Sequence, residues 1–75
     1  MEREIIDVEI VTEYIKLDSL MKFANLTETG GIAKEIIAEG RVYVNGEVCL
    51  MRGKKIREGD VVTVENYEVH VKNAR

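Results

Sequence analysis

Apolar and polar residues alternate along the chain with two different periods, and each period predicts a different element. Residues 5–12 alternate with a period close to two, which predicts a β-strand with one apolar face. Residues 17–26 instead place apolar side chains three and four positions apart, which predicts an α-helix. Phe23 widens the apolar stripe of this helix.

Residues 31–39 repeat the helical spacing and predict a second helix. Thr29 precedes it as an N-cap, because a threonine hydroxyl can accept a hydrogen bond from a free N–H of the first turn. Gly40 follows it as the stop, because glycine tolerates the left-handed conformation that ends many helices. The expected buried face consists of Ile32, Ala33, Ile36 and Ile37.

The second half of the chain predicts four strands. Residues 41–44 alternate, and Asn45-Gly46 favours a type I′ hairpin turn, because both residues tolerate positive φ. Residues 47–50 then return antiparallel, and residues 61–64 and 67–71 form a closing hairpin. The predicted order is β-α-α-β-β-β-β in one α+β domain, with two helices on one side of a small antiparallel sheet whose last strand is an exposed edge.

Charge is distributed unevenly over the 75 residues, although the net charge is only −3. Residues 1–28 carry seven acidic and three basic side chains, a net charge of −4. Residues 29–57 carry six basic and three acidic side chains, a net charge of +3. Residues 58–75 carry two basic and four acidic side chains, a net charge of −2. The middle of the chain therefore forms a basic segment, and local potential rather than net charge attracts a polyanion.

Several classes of function are disfavoured. His70 and Cys49 are the single residues of their types and lack the nucleophile–base partners of a catalytic site. The Cys, His, Asp and Glu residues show no metal-ligand spacing, so we expect neither a metal nor another cofactor. Apolar runs such as Val61-Val62 are too short to cross a membrane, and Met1–Glu4 does not resemble a secretion signal. These features predict a non-catalytic cytoplasmic protein.

The basic segment is the candidate for function. Lys34 and Arg41 are seven positions apart, and four further basic residues lie within residues 52–57. These side chains could contact phosphates of a nucleic acid, or they could only solvate a surface. Gly30-Gly31 could let an anion approach the start of the second helix, or it could serve a tight corner between the helices.

An ordered set of motifs resembles the S4 RNA-binding domain family. Lys16-Leu17-Asp18 resembles the family's opening of the first helix, and Ala33-Lys34 resembles a step within the second. The run from Gly40 to Gly46 resembles the family's Gly-x-Val-x-Val-Asn-Gly, and Glu58-Gly59-Asp60 resembles its closing turn. The resemblance covers about residues 16–64 and implies a two-helix motif, the αL motif, that binds structured RNA.

The resemblance also implies which residues contact RNA. By matching position these are Lys16, Thr29, Lys34, Arg41, Asn45, Lys54 and Lys55. Arg52 is added on charge and position, and Gly30 and Gly31 are added because they would let the RNA backbone approach the second helix. Gly30 is a departure, because the family often carries arginine there, and this removes one phosphate contact. The Thr-Gly-Gly variant is similar to that of small stand-alone bacterial S4 proteins.

Two functions remain open on the sequence. The first is recognition of ribosomal or transfer RNA by a monomer, in association with the ribosome. The second is a protein-interaction module that kept the scaffold and lost RNA binding. The acidic ends of the chain, Gly30 and the apolar Cys49-Leu50-Met51 stretch favour the second function.

Overall fold

The computed structural model describes residues 3–74. Met1, Glu2 and Arg75 lie outside the described residues, so the first two residues of the Met1–Glu4 segment, which was compared with a secretion signal, are not described. The elements in chain order are β1 (Glu4–Ile10), β2 (Ile15–Lys16), α1 (Leu17–Phe23), α2 (Gly30–Ala38), β3 (Val42–Val44), β4 (Glu47–Val48), β5 (Lys55–Ile56), β6 (Val61–Val64) and β7 (Tyr67–Asn73). The two helices and the five predicted strands, which are β1, β3, β4, β6 and β7, confirm the predicted α+β class. The strands β2 and β5 were not predicted, because two residues are too few to show a period.

The main sheet has five strands in the order β1-β7-β6-β3-β4, and β2 pairs with β5 in a separate two-stranded sheet. β1 runs parallel to β7, so the prediction of a purely antiparallel sheet was wrong. The predicted exposed edge was also wrong, since β7 lies between β1 and β6. A parallel pair needs a long crossover connection, and here both helices and five intervening strands supply it.

Apolar side chains from both helices pack against one face of the main sheet. Leu20, Met21 and Ile37 are fully buried, as the helical spacing predicted. Phe23 and Ile32 are exceptions, with 64% and 41% of their surfaces exposed. Each lies at the margin of its helix's apolar stripe, where a short helix has no neighbouring element to cover it. Among the described residues, neither helix has the length and hydrophobicity needed to span a bilayer.

The predicted ends of α2 are confirmed. The Thr29 hydroxyl accepts a hydrogen bond of 3.3 Å from the backbone N–H of Ile32, so Thr29 is the N-cap. After the helix, Gly40 has a φ of +76°, the left-handed conformation expected of the residue that stops it.

The Asn45-Gly46 turn is also confirmed, and it has a second structural role. Both residues have positive φ, +52° and +86°, as a type I′ turn requires. The Asn45 side-chain amide donates a hydrogen bond of 3.1 Å to Asp60, and its oxygen accepts one of 2.9 Å from the backbone N–H of Val61. The β3–β4 hairpin is therefore held against the turn that precedes β6.

Candidate nucleic-acid interface

The start of α1 and the loop before β5 are joined by backbone hydrogen bonds. The N–H of Leu17 donates to the carbonyl of Lys54 at 2.9 Å, and the N–H of Asp18 donates to the carbonyl of Arg52 at 3.1 Å. The β2–β5 ladder continues this contact and places Lys16 directly opposite Lys55. Four of the residues predicted to bind RNA, from segments far apart in the chain, therefore lie together.

Buried Ile56 holds this loop on the core. Its side chain is fully buried, and its backbone pairs with that of Ile15 in the β2–β5 ladder. Because Lys55 and Arg57 flank Ile56 in an extended segment, their side chains lie on the side away from the core. Both are exposed.

Tyr14 brings a further cation into the group. The Lys55 ammonium lies 4.9 Å from the centre of the Tyr14 ring, and the Arg57 guanidinium lies 5.8 Å from it. Both distances fall within the range of cation–π attraction. Sequence reasoning did not select Tyr14 or Arg57 as site residues. No local pattern links an aromatic residue before α1 to a basic residue after β5.

We call the resulting group the basic cluster. Its members are Lys16, Arg52, Lys54, Lys55 and Arg57, all exposed. Within residues 3–74, the ion pairs involve Arg3, Arg41, His70 and Lys72, and no member of the basic cluster has a carboxylate within 4.0 Å. The positive charge of the cluster is therefore free to attract an anionic partner.

Arg41 has a different environment from the one expected. Its guanidinium pairs with Glu39 at 3.0 Å and with Glu65. It also lines a shallow depression with Tyr43 on the face of the sheet opposite the helices. The contact of Arg41 with RNA remains a prediction. An RNA phosphate would have to compete with the two carboxylates for the guanidinium.

The start of α2 is open to solvent. A β-carbon added to Gly30 would meet no heavy atom within 4 Å, and one added to Gly31 would meet only the Thr29 hydroxyl, at 3.7 Å. Lys34 is exposed on the same helix, which packs against α1. No described hydrogen bond or ion pair connects Lys34, Thr29 or the two glycines to the basic cluster, so their place in one RNA-binding face remains a prediction.

The Asn45 side chain has a structural role in the turn region. Its amide nitrogen and its oxygen are both used to join the β3–β4 hairpin to the turn before β6. The predicted contact between Asn45 and RNA is not tested by this arrangement, but the structural role accounts for an asparagine at this position.

Comparisons with known proteins agree with this architecture. The chain is 40% identical over 60 residues to the probable ribosome maturation protein RlbA of Bacillus subtilis (strain 168), a match that covers 80% of this chain and 84% of that protein. It is 34% identical over 50 residues to the RQC P-site tRNA stabilizing factor of Halalkalibacterium halodurans, covering 67% of this chain and 56% of that protein.

A solved structure shares the fold. The solution structure of YbcJ from E. coli, described as revealing an αL motif involved in RNA binding, aligns with a TM-score of 0.67 and 29% sequence identity. The alignment covers 96% of this chain and 90% of YbcJ. The family model of the S4 domain matches residues 8–72, which include both helices, the basic cluster and most of the main sheet. The chain therefore belongs to the S4 domain family, as its motifs predicted.

Proposed function

We propose that this protein is a non-catalytic RNA-binding protein that holds structured ribosomal or transfer RNA through the basic cluster. The observation that carries the proposal is the convergence of five exposed cations, without carboxylate partners among the described residues, at the start of α1. Phosphates of folded RNA present a matching density of negative charge, and contacts with them supply much of the affinity of such complexes.

The relatives support the same proposal. RlbA is named for ribosome maturation, and the factor from Halalkalibacterium halodurans is named for stabilizing a P-site tRNA. YbcJ carries the αL motif that was described as involved in RNA binding. These relatives support our proposal that the protein acts in the bacterial cytoplasm, in association with the ribosome or with its RNA.

The proposal is tested by binding and by sedimentation. Fluorescence anisotropy would measure the affinity for labelled transfer RNA and for hairpins of ribosomal RNA at several salt concentrations. We expect binding that weakens steeply with salt, because each neutralised phosphate releases counterions. Co-sedimentation with ribosomal subunits, at low and at raised salt, would then separate the two RNA classes. Absence of salt-sensitive binding to any of these RNAs would contradict the proposal.

Tyr14 is expected to position two cations of the basic cluster. Replacing Tyr14 by leucine removes the ring that attracts Lys55 and Arg57, an attraction of about 0.5–1 kcal/mol per cation at exposed sites. We expect the Tyr14→Leu variant to bind structured RNA about 2–5-fold more weakly, as measured by anisotropy. The control is Tyr14→Phe, which keeps the ring and should bind as the wild type does. Equal affinities of all three proteins would show that the ring has no positioning role.

Gly30 offers a gain-of-function test. The position has open space around it, and arginine often occupies it in the family. We expect Gly30→Arg to add one phosphate contact, which would raise the affinity for RNA about eightfold at 0.1 M salt and steepen the salt dependence by about 0.9. Gly30→Gln is the matched control, because it adds a side chain of similar length without charge. If both variants bind alike, the start of α2 does not face the RNA.

A further inference from the structure

A groove runs beside the basic cluster, and its lining combines two kinds of side chain. It has a volume of about 540 Å³, within the range of small-ligand sites. The apolar part of the lining, which we call the apolar wall, is the segment after β4 and includes Leu50 and Met51. The charged part, which we call the polar wall, includes Lys54, Lys55 and Arg57, three members of the basic cluster.

The side chains of the apolar wall are exposed, and the backbone beneath them is hydrogen-bonded. Leu50 and Met51 expose 63% and 66% of their surfaces, so together they offer adjacent apolar surface to a ligand in the groove. The backbone beneath them is anchored, because the N–H of Cys49 donates to the carbonyl of Val42 at 2.9 Å. The Cys49 thiol is also 3.6 Å from the Met51 carbonyl, to which it donates a weak hydrogen bond.

The polar wall favours an anion, although two acidic residues also line the groove. Asp60 accepts a hydrogen bond on each of its carboxylate oxygens, from the Asn45 side chain and from the backbone N–H of Arg57. These hydrogen bonds fix the Asp60 carboxylate on the turn before β6. Glu47 is the other acidic residue of the lining. Three cations against these two carboxylates leave the groove with a positive balance on the side of the basic cluster.

We propose that this groove binds one unpaired nucleotide of the RNA, with the base against Leu50 and Met51 and its phosphate at Lys54 and Lys55. This inference rests on the proposed function and narrows it to RNA that carries a bulged or looped-out nucleotide. An unpaired nucleotide joins a flat base, whose faces can pack on apolar side chains, to an anionic phosphate, which matches the two walls. A fully paired duplex keeps its bases stacked inside and would leave the apolar wall uncovered.

The test compares three RNA hairpins that share one stem: fully paired, with a single bulged nucleotide, and with an abasic bulge at the same position. We expect the wild-type protein to prefer the bulged hairpin about tenfold over the other two, toward the lower end of the range for a base stacked on an aromatic side chain, because Leu50 and Met51 are not aromatic. In the double variant Leu50→Ser, Met51→Ser, the preference disappears while affinity for the paired hairpin stays unchanged. The two residues are exposed, and circular dichroism would confirm that this variant folds.

Ile5→Ser is the matched control. Ile5 is a similarly exposed apolar residue, 61% exposed, on β1, at the opposite edge of the main sheet from β4. The control should keep the full preference for the bulged hairpin.

The outcomes separate the inference from the proposed function. Salt-sensitive binding with equal affinity for all three hairpins overturns the inference and leaves the proposed function standing. Absence of salt-sensitive binding to any hairpin overturns both. A double variant that weakens binding to all hairpins equally also overturns the inference. Unchanged RNA binding with lost co-sedimentation would show instead that Leu50 and Met51 contact a protein.

Discussion

The double variant Lys54→Gln, Lys55→Gln is expected to bind structured RNA about 60-fold more weakly than the wild-type protein at 0.1 M salt. Both ammonium groups are exposed, and no carboxylate among the described residues lies close enough to neutralise them. Each phosphate contact contributes about 0.9 to the slope of log affinity against log salt, so two lost contacts flatten that slope by about 1.8. The 60-fold difference follows if the variant and the wild-type protein bind RNA with equal affinity near 1 M salt.

The matched control for this variant is Arg3→Gln, Lys72→Gln, which changes the net charge by the same amount. Arg3 pairs with Glu68 at 3.7 Å, and Lys72 pairs with Asp7 at 3.6 Å. Arg3 directly precedes β1, and the other three residues lie on β1 and β7, whereas the basic cluster lies at the start of α1. Anisotropy titrations from low to high salt should therefore give the control a slope close to that of the wild type. Equal flattening in both variants would mean that binding follows overall charge and not the basic cluster.

Replacing Ile56 by alanine is expected to lower the free energy of unfolding by about 2–5 kcal/mol. The Ile56 side chain is fully buried in the core, where the loss of three carbon atoms leaves a cavity. The loss is large for this protein, because small domains have total stabilities near the lower end of about 5–15 kcal/mol. Urea unfolding followed by circular dichroism would measure the change.

Ile5→Ala is the control for Ile56→Ala, since it deletes the same atoms from an isoleucine that is 61% exposed. We expect it to change the free energy of unfolding by less than about 1 kcal/mol, the range of substitutions at exposed strand positions. Similar costs for the two variants would contradict the packing of β5 against the core. In that case the backbone anchor of the basic cluster would also be in doubt.

The fold gathers part of the acidic charge on the main sheet, away from the basic cluster. The acidic first and last parts of the chain meet in the parallel β1–β7 pair, where Asp7, Glu9 and Glu68 alternate with buried valines and face away from the helices. Lys54 and Lys55 lie instead at the start of α1. A net charge of −3 therefore does not prevent one face of the molecule from attracting a polyanion.

The features that the sequence determined by itself are local. The Asn45-Gly46 turn follows from residues that tolerate positive φ, and the start of α2 follows from the Thr29 hydroxyl, which lies within reach of a free N–H. The alternation of Val42 and Val44 with a half-exposed Tyr43 identified β3 and its buried face. Each of these signals acts over a few residues, so the sequence displays it directly.

The helix faces were determined only in part. Spacing of apolar residues fixes the direction in which each side chain leaves the helix, and Leu20 and Ile37 are buried as that spacing predicted. Whether a residue at the margin of the stripe is covered depends on which element lies beside it. Phe23 and Ile32 have no such neighbour and are largely exposed.

Only the tertiary structure decided which cations are free. Arg41 and Arg57 are both exposed arginines of the basic segment, but Arg41 is neutralised by Glu39 and Glu65, whereas Arg57 lies over Tyr14. The parallel direction of β1 against β7 and the contact between α1 and the loop before β5 were decided in the same way. These contacts join segments that are distant along the chain. The path of the whole backbone around a shared core determines which segments meet. The residues near each contact do not reveal that path.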